Sequence, residues 1–148
     1  MTKKIVLGVL LGLIVGGILI QFLPYGHDHT NPPVTGEPQW DSHQTRDLVT
    51  RACYDCHSNQ TTWPWYSNIA PVSWLIQHDV EEGRSRLNFT EWNTARREVD
   101  NVAGQVQRGA MPQGYYVMLH PAANLTPAEK QALVQGLQAS SGGGAQTQ

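Results

Sequence analysis

The chain has 148 residues, 40% of them apolar, enough for one compact domain with some sequence to spare. A formal charge of −2 and a pI near 6.3 give no reason to expect nucleic acid as a partner. Lys3 and Lys4 precede the first apolar run, so everything after Leu23 carries eight Lys+Arg against twelve Asp+Glu.

Ile5 to Leu23 is a run of nineteen residues with one polar member, Gln21. That is near the ~20 residues a helix needs to cross the hydrocarbon core. A cleavable signal peptide has a shorter apolar core and a small-x-small site, whereas this run ends in Phe22-Leu23-Pro24-Tyr25. Residues 1–23 therefore read as an uncleaved, single-pass signal-anchor. Lysines precede the run and no Lys or Arg follows until Arg46, which keeps the N-terminus cytoplasmic and exports the rest. The expected location is the bacterial inner membrane, with the folded part in the periplasm or extracytoplasmic space. Gly8, Gly12 and Gly16 recur every four residues along one helix face, a pattern that allows a homodimer of anchors.

From Pro24 the composition changes abruptly, with prolines at 24, 32, 33 and 38 and glycines at 26 and 36. Residues 24–39 read as an extended linker that spans up to ~50 Å at ~3.1 Å per residue. His27 and His29 within it read as solvated tether residues rather than metal ligands. Residues 40–139 then read as one all-α domain, and 140–148, rich in Ser, Gly and Gln, as a disordered tail.

The first helix of that domain starts at Asp41 or Ser42, either of which serves as N-cap, and runs through Leu48, Val49 and Ala52. It leads into Cys53-Tyr54-Asp55-Cys56-His57, the only place where cysteine occurs. Two thiols three positions apart can each add to one vinyl group of a single haem, and the following histidine then offers an imidazole nitrogen to the iron. C-x-x-C-H is the signature of c-type haem attachment. A thioredoxin-like dithiol would sit beside a βαβ pattern, and none is present. A structural zinc would need a second ligand cluster. A disulfide between positions three apart would close a tiny loop and stabilise little.

Residues 59–67, with Trp63, Trp65 and Tyr66, read as an aromatic-rich loop. A helix follows, with Pro71 in its first turn and Val72, Leu75, Ile76 and Val80 on one face, stopped by Gly83. Another runs from about Thr90 to Arg108 with Trp92, Ala95, Val99, Val102, Ala103 and Val106 at helical spacing. The last is announced by Thr126-Pro127-Ala128-Glu129, an N-cap, a proline at N1 and a capping-box glutamate, with Ala132, Leu133 and Leu137 as its apolar face. No window alternates as a strand does.

Met111 is the candidate second iron ligand. It stands in Gly109-Ala110-Met111-Pro112 just after a helix, where a loop methionine can present its thioether sulfur opposite the histidine. His120 is the alternative, with a hydrogen bond to a propionate or to backbone as its other role. Met118 reads as core and His78 as surface. The tryptophans read as core that also packs the haem edge, and Arg84 and Arg86 as partners for propionates or solvated surface charges.

These residues resemble the bacterial haem-binding domain family, small c-type units behind an anchor or fused to larger redox proteins. The resemblance rests on Ala52-Cys53-Tyr54-Asp55-Cys56-His57-Ser58-Asn59 and on the run from Trp63 to Trp74. It continues through Gly83 to Phe89, Glu91-Trp92, Met111-Pro112, Tyr115 or Tyr116, His120-Pro121 and Leu125. The family's usual Met-Pro-Pro reads Met111-Pro112-Gln113 here. The resemblance implies covalent haem and redox work. The expected protein is a monohaem, cytochrome c-like electron carrier that serves redox protein partners and turns over no substrate of its own. A haem-based sensor with a labile distal ligand, and a thiol–disulfide oxidoreductase without haem, are the alternatives.

Overall fold

A computed structural model describes residues 2–92 and 99–142. Among them the chain is all-α. Its helices are α1 (Thr2–Leu19), α2 (His43–Ala52), α3 (Tyr54–His57), α4 (Val72–Arg86), α5 (Val99–Gln107), α6 (Gly114–Leu119) and α7 (Pro127–Gly142). Short 3-10 turns cover Ile20–Phe22, Trp65–Asn68 and Pro121–Ala123. One isolated parallel bridge, Gly36 to Glu91, is the sole β pairing among the described residues. The contacts divide the chain into two units, Met1–Thr30 with Trp63–Asp79, and Asn31–Thr62 with Val80–Gln148.

In the first unit, α1 and its 3-10 extension give 21 residues, Thr2–Phe22, long and apolar enough to cross a membrane. Gly8, Gly12 and Gly16 have open space where a side chain would stand. Gln21, the polar exception, donates to the Gly17 and Ala70 carbonyls at 2.9 and 3.0 Å and accepts from the Ala70 amide at 2.9 Å. Residues 24–30 then fold back instead of leaving as a free tether. Gly26 takes a φ of +95°, and a Cβ there would come within 2.6 Å of the Ser73 hydroxyl. His29 stacks on Trp63 at 4.4 Å and bonds the Ser67 carbonyl, and the Asp28 amide donates to Gln77. The indole N–H groups of Trp63 and Trp74 are buried with no acceptor among the described residues.

The apolar face expected for α4 is not the face that α4 buries. Ser73, Gln77 and Val80 are buried, whereas Val72 and Leu75 are exposed, so small and amide side chains make the inward face. Trp65, expected in the core, is 76% exposed. Gly83 does not stop α4, which continues to Arg86.

The second unit is built on a core of Leu48, Val49, Tyr54, Leu87, Phe89, Ala103, Val106, Leu133 and Leu137. Trp40, Tyr54 and Trp92 surround the Phe89 ring at 5.5–6.1 Å. Ser42 caps α2, its hydroxyl accepting from the Thr45 amide at 3.1 Å. Helices α2 and α7 approach closely because Gly136 has no side chain, and a Cβ there would overlap Thr45. Thr90–Trp92, expected at the head of a helix, lie outside it: Thr90 is fully buried and its carbonyl accepts from the Thr35 and Gly36 amides. The expected helix residues 93–98, Ala95 among them, lie outside the described residues. Met118, expected in the core, is 81% exposed on α6, a helix its composition did not announce. At the far end Ser140–Gly142, read from composition as tail, belong to α7, while 143–148 lie outside the described residues.

Candidate haem site

The cysteines sit on a single turn. Cys53 caps both α2 and α3, and its carbonyl accepts from the Cys56 and His57 amides at 3.2 and 2.9 Å. Ser58 leaves that turn in extended backbone and returns its hydroxyl to the Tyr54 carbonyl at 2.7 Å. Cys53, Cys56 and His57 are thereby brought together, and neither cysteine is in a disulfide. Burial, with the neighbouring Cys56 adding to it, pushes the Cys53 thiol up to about 12. That setting favours the neutral thiol, the opposite of the electropositive surroundings that activate a redox cysteine.

His57 is held by its Nδ1, which lies 3.0 Å from the Gly83 carbonyl and 3.1 Å from that of Leu87. Carbonyl oxygens only accept, so Nδ1 carries the proton and Nε2 keeps its lone pair. Desolvation lowers the imidazole's pKa and favours the neutral ring, while the two backbone bonds partly oppose it. A backbone-anchored neutral imidazole with its second nitrogen available is how metal-binding histidines are oriented.

Helix α4 and Leu87, the residue after its end, can supply those carbonyls because the helix runs hard against the cysteine turn. A Cβ at Gly83 would overlap the Cys56 carbonyl oxygen and lie within 2.9 Å of its carbonyl carbon. Gly83 is thus a packing and orienting position and not the expected helix stop. The local clue is that Arg84-Ser85-Arg86 continues with helix-compatible residues.

The loop after the turn is fastened by a buried polar network. The Asn59 amide donates to the Thr90 hydroxyl at 2.7 Å, and Asn88 donates to the Asn59 side chain at 2.7 Å. Thr90 returns its own hydroxyl and amide to Asn88 at 2.8 and 3.0 Å. The Phe89 amide closes on the His57 carbonyl at 2.8 Å. Arg84, a candidate propionate partner, donates to the Ser58 carbonyl, Asn31 and Thr61. Arg86 pairs with Glu82 one turn earlier.

Met111 stands apart from the cysteine turn in sequence but is linked to it through α6. Helix α5 ends in a Schellman motif: Gly109, at φ +73°, donates to the Val106 carbonyl, and Ala110 to that of Gln105. This places half-buried Met111 at the head of the short segment leading to α6. On that helix Tyr116 donates its hydroxyl to Asp55, between the two cysteines, at 2.7 Å. The Tyr116 phenol is pushed well up by burial and by the Asp55 carboxylate, so it stays a donor. His120, the alternative ligand, stacks on Tyr116 at 4.1 Å with its Nδ1 3.0 Å from the Tyr116 carbonyl. Tyr116 and Asp55 were not foreseen as a pair, because 61 residues separate them.

Two thiols one turn apart and not joined in a disulfide, with an adjacent imidazole whose Nδ1 is already committed, fit a haem held from one side. Comparison with curated proteins and with solved structures finds no match. A family model described as haem-binding domain matches residues 15–139, starting inside α1 and including the whole Cys53–His57 turn. Since that span is most of the 148 residues, the chain belongs to the haem-binding domain family.

Proposed function

We propose that the chain is a membrane-anchored monohaem c-type cytochrome that passes single electrons between redox proteins outside the cytoplasmic membrane. The observation that carries this reading is the Cys53–His57 turn, with Nδ1 of His57 fixed by the Gly83 and Leu87 carbonyls. Cys53 and Cys56 would each add their S–H across one haem vinyl group. That step forms a C–S and a C–H bond, consumes the double bond and needs no oxidant. His57 Nε2 would be the proximal ligand and Met111 the distal one. Bound haem would supply a one-electron iron couple, whose potential Met/His ligation raises relative to bis-histidine. Asp55, Tyr116 and the Asn59–Asn88–Thr90 network would hold the surrounding backbone still, and no residue here is assigned a substrate. The apolar helix α1, with Lys3 and Lys4 in its first turn, supports the anchored and exported topology.

The test is a visible spectrum of the full-length protein purified from cells that mature c-type haem. Covalent haem that survives denaturation supports the attachment, and a colourless protein with two titratable thiols would move the reading to a thiol oxidoreductase. In the oxidised protein a weak long-wavelength charge-transfer band, lost in Met111→Ala, supports methionine ligation and the electron carrier. Ready carbon monoxide binding by the untreated reduced protein would instead favour a sensor.

A further inference from the structure

The first unit leaves an apolar surface uncovered. Phe22, Leu23, Trp65, Ile69, Val72 and Leu75 are all exposed, Phe22 and Trp65 by 80% and 76%. Their inward neighbours are already occupied, since Gln21 bonds Ala70, His29 stacks on Trp63, and Gly26 fits against Ser73. Between Ser58 and Gln77 there is no Asp, Glu, Lys or Arg, and Ile5 to Gly26 is equally free of them. An uncharged, aromatic-containing surface of this kind marks a contact with something apolar.

The position of the surface identifies its occupant. Gln21 lies at the end of the helix that is long enough to cross a bilayer, and its carboxamide holds both the N–H and the C=O of Ala70. Residues 69–75 are therefore pinned to the end of that helix, the level at which tryptophan and tyrosine collect in membrane proteins. We infer that residues 22–25 and 65–75 form an interfacial foot that inserts into the same bilayer α1 crosses. The occupant is lipid, at the boundary of headgroups and acyl chains. With no basic side chain in the surface, insertion is apolar and independent of anionic lipid. Because residues 24–30 are folded into this unit, no free chain follows the apolar helix. The inference rests on α1 being a membrane helix.

The experiment uses the full-length haem-loaded protein in phosphatidylcholine vesicles, with and without phosphatidylglycerol. Photoactivatable phosphatidylcholines carry the reactive group either near the headgroup or deep in the chain, and adducts are mapped by mass spectrometry. The expected result is shallow-probe adducts on 65–75 and 22–25, and deep-probe adducts on the middle of α1, equally in both lipid mixtures. A variant with Trp65→Glu and Leu75→Glu should lose shallow adducts on that segment by about ten-fold, because carboxylates are expelled from lipid. Deep adducts on α1 should stay unchanged. Deep adducts on α1 without adducts on 65–75 would overturn the foot and leave the anchor standing. The same holds for unchanged shallow labelling in the variant, or for a segment 65–75 covered by a second copy. Absence of adducts on both would remove the anchor reading and the foot with it.

Discussion

Gly83 serves the site with its backbone alone. Its missing side chain lets α4 lie against Cys56, and its carbonyl accepts a hydrogen bond from His57 Nδ1. The atoms a Cβ would meet are backbone and cannot rotate away, so Gly83→Ala should destabilise the fold by about 1–3 kcal/mol through overpacking. The haem-stained yield of covalent protein should fall with it. A melting temperature and haem content equal to wild type would show that α4 can retreat without disturbing His57. Asn88 is tied to Asn59 and Thr90 in a fully buried setting. Asn88→Ala would strand those partners, at about 1–3 kcal/mol. Urea unfolding of the haem-loaded protein should report that loss as a lower midpoint at unchanged slope.

Between helices, capping signals are what the sequence states most legibly. Thr126 and Glu129 form the reciprocal capping box that their spacing announces, and Arg51 from α2 adds an ion pair at 2.6 Å. Thr126→Ala should cost about 1 kcal/mol of stability, read from thermal unfolding at neutral pH. The Thr126 amide, Arg51 and the Thr126 hydroxyl hold the Glu129 carboxyl down at about 2 from an ordinary 4.5. The folded value lies below the unfolded one, so this contribution is complete above about 4.5 and is lost as pH falls toward 2. The acid limb of a stability–pH profile should therefore flatten in Glu129→Gln between those values. The cysteine turn was legible as a local turn for the same reason as the caps, since it is written in five consecutive residues. The inward face of α4 was not. Apolar periodicity picks the most hydrophobic stripe, whereas Ser73, Gln77 and Gly83 face inward for close approach and hydrogen bonding. Helix α6 is too short at six residues for any period to show, so Tyr116 could not be placed beside Asp55 from sequence.

For the molecule as a whole, the open question in the sequence was how the apolar helix joins the folded part. Proline and glycine content reads as a loose tether because such composition disfavours helix, but it says nothing about what an extended chain can bond to. In the second unit the segment from Asn31 to Trp40 is extended and bonded. The Thr35 and Gly36 amides both donate to the Thr90 carbonyl at 2.9 and 3.1 Å, and the Gly36 carbonyl accepts from Trp92 at 3.2 Å. The Asn31 amide group donates to the Thr61 carbonyl, and Glu37 takes both ends of the Arg46 guanidinium at 2.8 Å. Arg46 holds the Glu37 carboxyl below its ordinary value, so the clamp persists above about pH 4.5 and weakens as the solution is acidified past it. Because Arg46 is well exposed, the pair contributes no more than about 1 kcal/mol, and the backbone bonds carry most of the attachment. Hydrogen exchange read by mass spectrometry distinguishes the two pictures. Amides of a free tether exchange at the rate of an unfolded peptide, whereas those of Thr35 and Gly36 should be slowed at neutral pH in step with the amide of Trp92. Glu37→Gln should speed exchange across 35–40 only modestly, by less than about ten-fold, consistent with the loss of one exposed ion pair. Unprotected exchange at Thr35 and Gly36 in the wild-type protein would return the segment to a flexible linker.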